Sequence, residues 1–320
     1  MNEKLLCLFL VCIFLLLFFS GCMHTPPSVL YVDDSFDEQV NGWQFDHFNS
    51  IQQAIEKGGN NCTIYVNSGV YTESIVINKS VVLIGENATK TIIKARHDQN
   101  GIVVGSQGRI YLSHFTVRSA GNPDLNAHTP AGLILYSDDN QVVHNMFINN
   151  SCGLYCVDAT SNIISENMFQ KNFYGLALAN RCSDQKLYNN SFFENQIGLR
   201  IKSSTNNTVF ENVFADNVGG AYVCCGSRNN LFYLNIFYDN AQFQAQDWEL
   251  NIWNTSTVGN YWGDYHLPSQ GAFDQNNDGI VDSPYNISRG YQPEEYPNKD
   301  YRPLVYKPFF KVILLKILVF

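Results

Sequence analysis

Asn145-Met-Phe147-Ile-Asn-Asn150-Ser-Cys-Gly153-Leu-Tyr-Cys156 and Asn167-Met-Phe169-Gln-Lys-Asn172-Phe-Tyr-Gly175-Leu-Ala-Leu178 are two copies of one pattern. The leading Asn recurs as Asn145, Asn167, Asn190, Asn212 and Asn235, at spacings of 22, 23, 22 and 23 residues. Phe147, Phe169, Phe192, Phe214 and Phe237 stand two residues later, and Asn150, Asn172, Asn195, Asn217 and Asn240 five residues later. Gly153, Gly175, Gly198 and Gly220 stand eight residues later; the fifth copy has Phe243 there, which reads as the end of a stack. A fixed period of this length marks a repeat architecture.

Within each copy the residues after Gly alternate. Leu154, Leu176, Leu199 and Ala221 share one face with Cys156, Leu178, Ile201 and Val223. Tyr155, Ala177, Arg200 and Tyr222 share the other with Val157, Ala179, Lys202 and Cys224. Alternation with period two is a strand, and Arg200 and Lys202 assign the second face to solvent. A second strand precedes each leading Asn, with Val142, Ile164, Leu187, Val209 and Phe232 in register. One copy is too short to bury its own apolar face; stacked copies bury it in a continuous core, Phe on Phe and Asn on Asn. A leucine-rich repeat has a similar period but needs a Leu-dense consensus and a helical segment, and neither is present. The expected fold is all-β: a single-stranded right-handed parallel β-helix.

The rest of the chain fits that reading. Asn is abundant, with 37 in 320 residues, and charged residues make up only 15%. Asn favours turns over helices. A formal net charge of −9 gives no basic surplus for phosphates, so no nucleic-acid partner is expected. Phe48 to Lys57 is the one helical stretch, capped by Asn49 or Ser50 and ended by Gly58-Gly59. Strands are expected at 63–66, 74–77, 81–84 and 91–94. Lys4 and the apolar run from Leu5 to Phe19 form an export signal, too short to span a bilayer. Ser20-Gly21-Cys22 resembles a lipobox, which makes Cys22 the expected lipidation site. The expected organisation is a lipoprotein-type signal peptide (1–21), a tether (22–30), a β-helix domain (31–305) with a capping and calcium-loop segment at 246–305, and an apolar tail (306–320). Export permits disulfides among Cys62, Cys152, Cys156, Cys182, Cys224 and Cys225, without fixing their pairing.

Phe48-Asn-Ser-Ile-Gln-Gln-Ala-Ile-Glu-Lys-Gly-Gly, then Thr63-Ile-Tyr-Val-Asn-Ser-Gly-Val-Tyr-Thr-Glu, resembles the opening of pectin-lyase-like β-helices. Ile77-Asn-Lys-Ser-Val-Val-Leu-Ile-Gly-Glu continues the likeness. The Asn-x-Phe-x-x-Asn-x-x-Gly coils and Asn260-Tyr-Trp-Gly-Asp-Tyr resemble the NosD-type branch of envelope proteins. The resemblance runs over roughly residues 30–305. It implies a short N-terminal capping helix over the end of the coil stack, and it is a poor guide to activity, because the fold hosts lyases, hydrolases, esterases and binders.

Asp274-Gln-Asn276-Asn-Asp278-Gly279-Ile280-Val-Asp282 places oxygen ligands at positions 1, 3, 5 and 9 of an EF-hand-like loop, with the Ile280 carbonyl at 7. Tyr285 replaces the bidentate acid at position 12, so weak structural calcium is expected. Tyr155, Arg200, Lys202 and Tyr222 are candidate ligand-binding residues, since cations and rings on a flat face suit an acidic sugar. The same rings, with Tyr188, Phe210 and Tyr233, also suit plain packing ladders. NosD implies copper, but the histidines show no metal spacing, and Cys224-Cys225 on a regular strand would point to opposite faces. Copper is therefore not expected, and Asp138-Asp139 reads as a solvated turn. The expected role is non-catalytic binding of carbohydrate or another surface component by an extracytoplasmic, membrane-anchored β-helix. The alternatives are a polysaccharide lyase or hydrolase, and a periplasmic copper-handling accessory protein.

Overall fold

The computed structural model describes residues 25–118, 120–122, 128–289 and 298–308. The signal segment, Cys22 and most of the apolar tail lie outside them. Three parallel sheets of ten, nine and eight strands wrap around one core. Each coil runs through the three in turn. Gln141–Val143 belongs to the first sheet, Met146–Ile148 to the second and Cys152–Val157 to the third, and Ile163–Ser165 returns to the first, one rung on. This is the right-handed parallel β-helix expected from the period.

The bends decide the geometry. The residue before a bend Asn takes a left-handed conformation through the repeats, for example Glu166 before Asn167, Lys171 before Asn172 and Asn206 before Asn207. The chain thus turns sharply and drives the Asn side chain inward. Asn145, Asn167, Asn190, Asn212, Asn235 and Asn260 form one buried ladder. In each rung the Oδ1 accepts the backbone N–H of the Asn below; for Asn190 this bond from Asn167 is 3.0 Å. Its Nδ2 caps a strand carbonyl, 2.8 Å to Ile164 O for Asn190. Asn150, Asn172, Asn195, Asn217 and Asn240 form a second ladder of the same design. A third, at Asn140, Asn162, Gln185, Asn207, Asn230 and Asn251, lines the bend from the third sheet to the first. Its regular rungs break between Asn162 and Gln185, where the buried Cys156 and Cys182 fill the gap.

Phe147, Phe169, Phe192, Phe214 and Phe237 are buried and stacked, with centroids 4.7–5.1 Å apart and planes within 10°. The repeat Gly follows from this stack. A Cβ on Gly175 would lie 2.5 Å from Gly198 O and 2.9 Å from a Phe192 ring carbon. Any side chain there would push the coils apart.

Phe243 does not end the stack. The fifth copy carries one extra residue, so Phe243 pairs with Gly219, and Phe243–Asp247 continues the third sheet. Gln244 replaces the repeat Gly, and its Oε1 accepts Asn240 Nδ2 at 2.7 Å, closing the second ladder. Trp262 stacks on Phe237 at 4.7 Å as a further rung. At the other end the helix begins at Ile51, not Phe48, because Phe48 pairs with Val32 in the first sheet. Ser50 caps it, and the carboxylate of Glu73 accepts Ile51 N and Gln52 N at 2.9 Å each. The strands expected near the N-terminus form as Cys62–Val66, Ile75–Ile77, Ser80–Gly85 and Thr91–Lys94.

Two carboxylates finish the remaining ladders. Asp247 accepts Asn251 Nδ2 at 2.8 Å and Trp253 Nε1 at 2.9 Å. Asp300 accepts Asn260 N at 2.7 Å, Trp262 Nε1 at 2.9 Å and Arg302 N at 2.9 Å. Burial pushes the Asp300 carboxyl up from 3.8 to about 6, against those hydrogen bonds. The folded chain therefore holds this proton more tightly than the unfolded chain. Stability from the group is complete below the unfolded value and is lost as pH rises through about 6. A shift of about two units corresponds to about 3 kcal/mol. Urea melts across this range should show wild type losing up to about 3 kcal/mol more than Asp300→Asn as pH rises; identical slopes would contradict the assignment.

Candidate functional site

The third sheet carries its variation on the outer face. One outward column runs Ile134, Tyr155, Ala177, Arg200, Tyr222 and Gln246. Its neighbours are Cys152, Tyr174 and Ile197 on one side, and Val157, Ala179, Lys202 and Cys224 on the other. Ala177 and Ala179 are small side chains buried among larger neighbours. His128, on the connection into Ala131–Leu135, lies over this face. Its ring stacks on Tyr155 at 4.8 Å and on Tyr174 at 4.7 Å.

Arg200 stands at the edge of this frame. Its Nη1 donates to the Tyr174 hydroxyl at 2.6 Å and lies 3.4 Å from His128 Nε2. The guanidinium carbon is 5.0 Å from the Tyr174 ring centroid and 6.0 Å from that of Tyr222. Arg200 Nε is buried and has no hydrogen-bond partner among the described residues. The described ion pairs of Arg and Lys are at Arg109, Lys171, Arg181 and Arg228, each with its own carboxylate. Arg200 and Lys202 have none among the described residues, in a chain of net charge −9.

Electrostatics follow from the packing. Burial first, then the charges of Arg200 and Lys202, lower His128 to about 4. The imidazole is therefore neutral near pH 7, and the positive charge of the site belongs to Arg200 and Lys202. Burial raises the Tyr174 phenol, while Arg200 pulls it the other way. The arrangement is a fixed guanidinium on an aromatic floor. It can take a carboxylate or other anion, with rings beside it for an apolar sugar face.

The four candidate ligand-binding residues thus lie together: Tyr155, Arg200 and Tyr222 in one column, Lys202 beside them. Sequence reasoning missed His128 and Tyr174. His128 sits in an insertion without periodicity. Tyr174 precedes its repeat Gly, where the alternation used to read the strand had not begun. Tyr188, Phe210 and Tyr233 stack at 5.1 and 5.2 Å on the first sheet and form a packing ladder. Asp138 and Asp139 are a turn: Asp138 accepts Thr160 N at 2.7 Å, and Asp139 pairs with Arg109 at 2.5 Å.

The loop 274–282 turns its oxygens onto its own amides. Asp274 accepts Asp278 N at 3.1 Å and Gly279 N at 2.9 Å, and Asp282 accepts Gln275 N at 2.9 Å. Asp278 accepts Ile280 N at 2.9 Å, and Asn276 accepts Asp278 N at 3.1 Å. Gly279 has φ +85°. Beside this loop a cleft of about 500 Å³ is lined by Tyr261, His266, Asp274, Asn277, Tyr306 and Lys307, among others.

Fold and outer face together define an elongated β-helix scaffold with a cationic, ring-lined strip. The chain belongs to the NosD family: residues 59–267, more than half of the chain, match the family described as periplasmic copper-binding protein (NosD). That description agrees with an extracytoplasmic location. No curated protein sequence matches the chain. Among solved structures it is similar to an alginate lyase from Paenibacillus sp. str. FPU-7, at 12% identity and TM-score 0.43, covering 66% of this chain and 91% of that one. It is also similar to the Agl-KA catalytic domain, at 14% identity and TM-score 0.43, covering 64% of this chain and 46% of that one. The Dettilon tailspike protein matches at 14% identity and TM-score 0.43, over 78% of this chain and 56% of that one. These likenesses concern the fold.

Among the described residues no three His, Cys, Asp or Glu side chains are grouped to hold a metal ion. Donors come in smaller sets, such as His114 and His144 with ring centroids 5.3 Å apart. No step involving copper is derived from this chain.

Proposed function

We propose that this chain is a membrane-anchored, non-catalytic binder of an acidic carbohydrate, with the outer face of the third sheet as its binding surface. The carrying observation is Arg200: a guanidinium held by Tyr174, packed near Tyr222, with a buried Nε and no carboxylate partner among the described residues. An anion is the ligand that such a group lacks. Lys202 adds a second charge two residues along the same strand, and the open face suits a polymer laid across coils better than a small molecule sealed in a cavity. Lipidation at Cys22 and the domain bounds given above belong to the same proposal.

A lyase is the second reading, because Tyr174 and His128 both stand within reach of Arg200. A guanidinium can neutralise a uronate carboxylate while a neighbouring base takes the adjacent proton. The raised Tyr174 phenol and the low His128 value make both weak bases near neutrality, which favours binding.

Calorimetric titration of the mature chain with uronate oligosaccharides distinguishes these readings. Uronate oligomers should bind, weakening as salt rises, while neutral oligomers of equal length should not. Arg200→Ala should weaken binding about tenfold or more, since a hydrogen bond to a charged group contributes about 1.5–3 kcal/mol. Equal binding by Arg200→Ala, or by neutral oligomers, removes the reading. Appearance of an unsaturated, ultraviolet-absorbing product would establish the lyase instead.

We also propose that residues 274–282, whose carboxylates bond the loop's own amides in this structure, rearrange to take one structural calcium ion through Asp274, Asn276, Asp278, the Ile280 carbonyl and Asp282. Gly279 and Asn277 supply the left-handed turns, and hard oxygen donors suit calcium. Tyr285 at the closing position implies a Kd of roughly 10⁻⁴ to 10⁻³ M. Millimolar calcium should raise the melting temperature of wild type and leave Asp278→Ala unmoved. No shift in wild type, or the same shift in both, would remove the ion.

A further inference from the structure

We infer that Cys224 and Cys225 are a redox-active vicinal pair that closes into a disulfide by exchange with a disulfide-bearing oxidant. On a regular strand the two side chains would point to opposite faces, and the sequence reading expected that. The structure overturns it: the strand Gly219–Cys224 ends at Cys224, and Cys225 has φ +63°. This left-handed residue swings its side chain back beside its neighbour, and the two sulfurs lie 2.6 Å apart.

The bend is a property of the solenoid, not of the cysteines. The same position in the three preceding coils is Asp158, Asn180 and Ser203, with φ of 51°, 55° and 51°. Lys202 pairs with Cys224, so the pairs Val157-Asp158, Ala179-Asn180, Lys202-Ser203 and Cys224-Cys225 occupy one place in successive coils. The stack therefore presents two adjacent side chains at this bend before any sulfur chemistry occurs. Only in this coil are both thiols.

The two sulfurs have different roles. Cys225 is exposed, whereas Cys224 is buried at 3%. Burial, then the neighbouring thiol, pushes Cys224 up to about 12. Cys225 is thus the attacking group. Its thiolate attacks one sulfur of an oxidant RS–SR, expels RS⁻ and leaves a Cys225 mixed disulfide. Cys224 gives up its proton and attacks Cys225 Sγ, expelling the second RS⁻. The cysteine pair is oxidised by two electrons and RS–SR is reduced to two thiols. Neighbouring Cα atoms stand about 3.8 Å apart, closer than the roughly 4.4–6.8 Å usual across a disulfide. The bridge is therefore strained, of the labile and readily reduced kind. It would close beside the proposed ligand face, since Cys224 pairs with Lys202 on the third sheet.

Mass spectrometry of the full mature chain tests this. The chain is equilibrated with oxidised glutathione, alkylated and digested with trypsin. The peptide from Ser203 to Arg228 contains Cys224 and Cys225 and no other cysteine. It should be unalkylated and lighter by two hydrogens, and doubly alkylated after mild reduction. The buried Cys62, Cys152, Cys156 and Cys182 should remain thiols. Full alkylation of the peptide without reduction overturns the inference. So does a persistent glutathione adduct on Cys225, or a bridge from either residue to a different cysteine.

Discussion

A buried asparagine side chain, bonded to the bend below it and to a strand carbonyl, is the interaction on which this molecule depends. A three-sided coil of 22 or 23 residues turns its backbone inward at every bend. Each bend brings peptide groups into an apolar interior, where an unpaired one costs about 1–3 kcal/mol. Asparagine answers with one acceptor and two donor hydrogens on a short side chain. Asn195 takes the amide of Asn172 at 3.0 Å and gives its own hydrogens to Phe169 O and Asn217 Oδ1 at 2.9 Å each. The rungs depend on each other, so a ladder must end on a side-chain oxygen that accepts from its last Asn. Gln244, Asp247 and Asp300 supply such ends.

Once the bends are satisfied, the inner positions have little freedom. The Phe stack sets the spacing, and Gly makes room for it. The outer positions do not bear on that register, so chemistry can be placed there. The third sheet uses this freedom. Between two alanines and a row of rings it holds Arg200, Lys202 and the Cys224-Cys225 pair. The proposed ligand face and the thiol pair adjoin: Arg200 bonds the Tyr174 hydroxyl, and Cys224 pairs with Lys202 on the same sheet.

What the sequence revealed follows the same division. Asn145, Phe147, Asn150 and Gly153 are legible because each coil must solve one packing problem the same way, which leaves a period. The ladder through Asn162 and Asn207 escaped notice because Gln185 interrupts it. Glu73, which caps the helix from 22 residues beyond Ile51, leaves no local signal. The site was half legible: Arg200 and Lys202 stand out as charges on an alternating strand. His128 reaches the same face from a connection whose length, not its pattern, sets its position. Cys225 was placed on the wrong side because alternation holds only inside a strand, and the left-handed bend begins at that residue.

The most direct test of the account is the stability of Asn195→Ala, measured by urea melting against the exposed Asn286→Ala. Removing the Asn195 side chain leaves the buried Asn172 amide without its acceptor and the Phe169 carbonyl without its donor. Two such groups predict a loss of at least about 2 kcal/mol for Asn195→Ala, with Asn286→Ala within about 0.5 kcal/mol of wild type. A loss below about 1 kcal/mol at Asn195 would mean that the bends do not depend on the ladder.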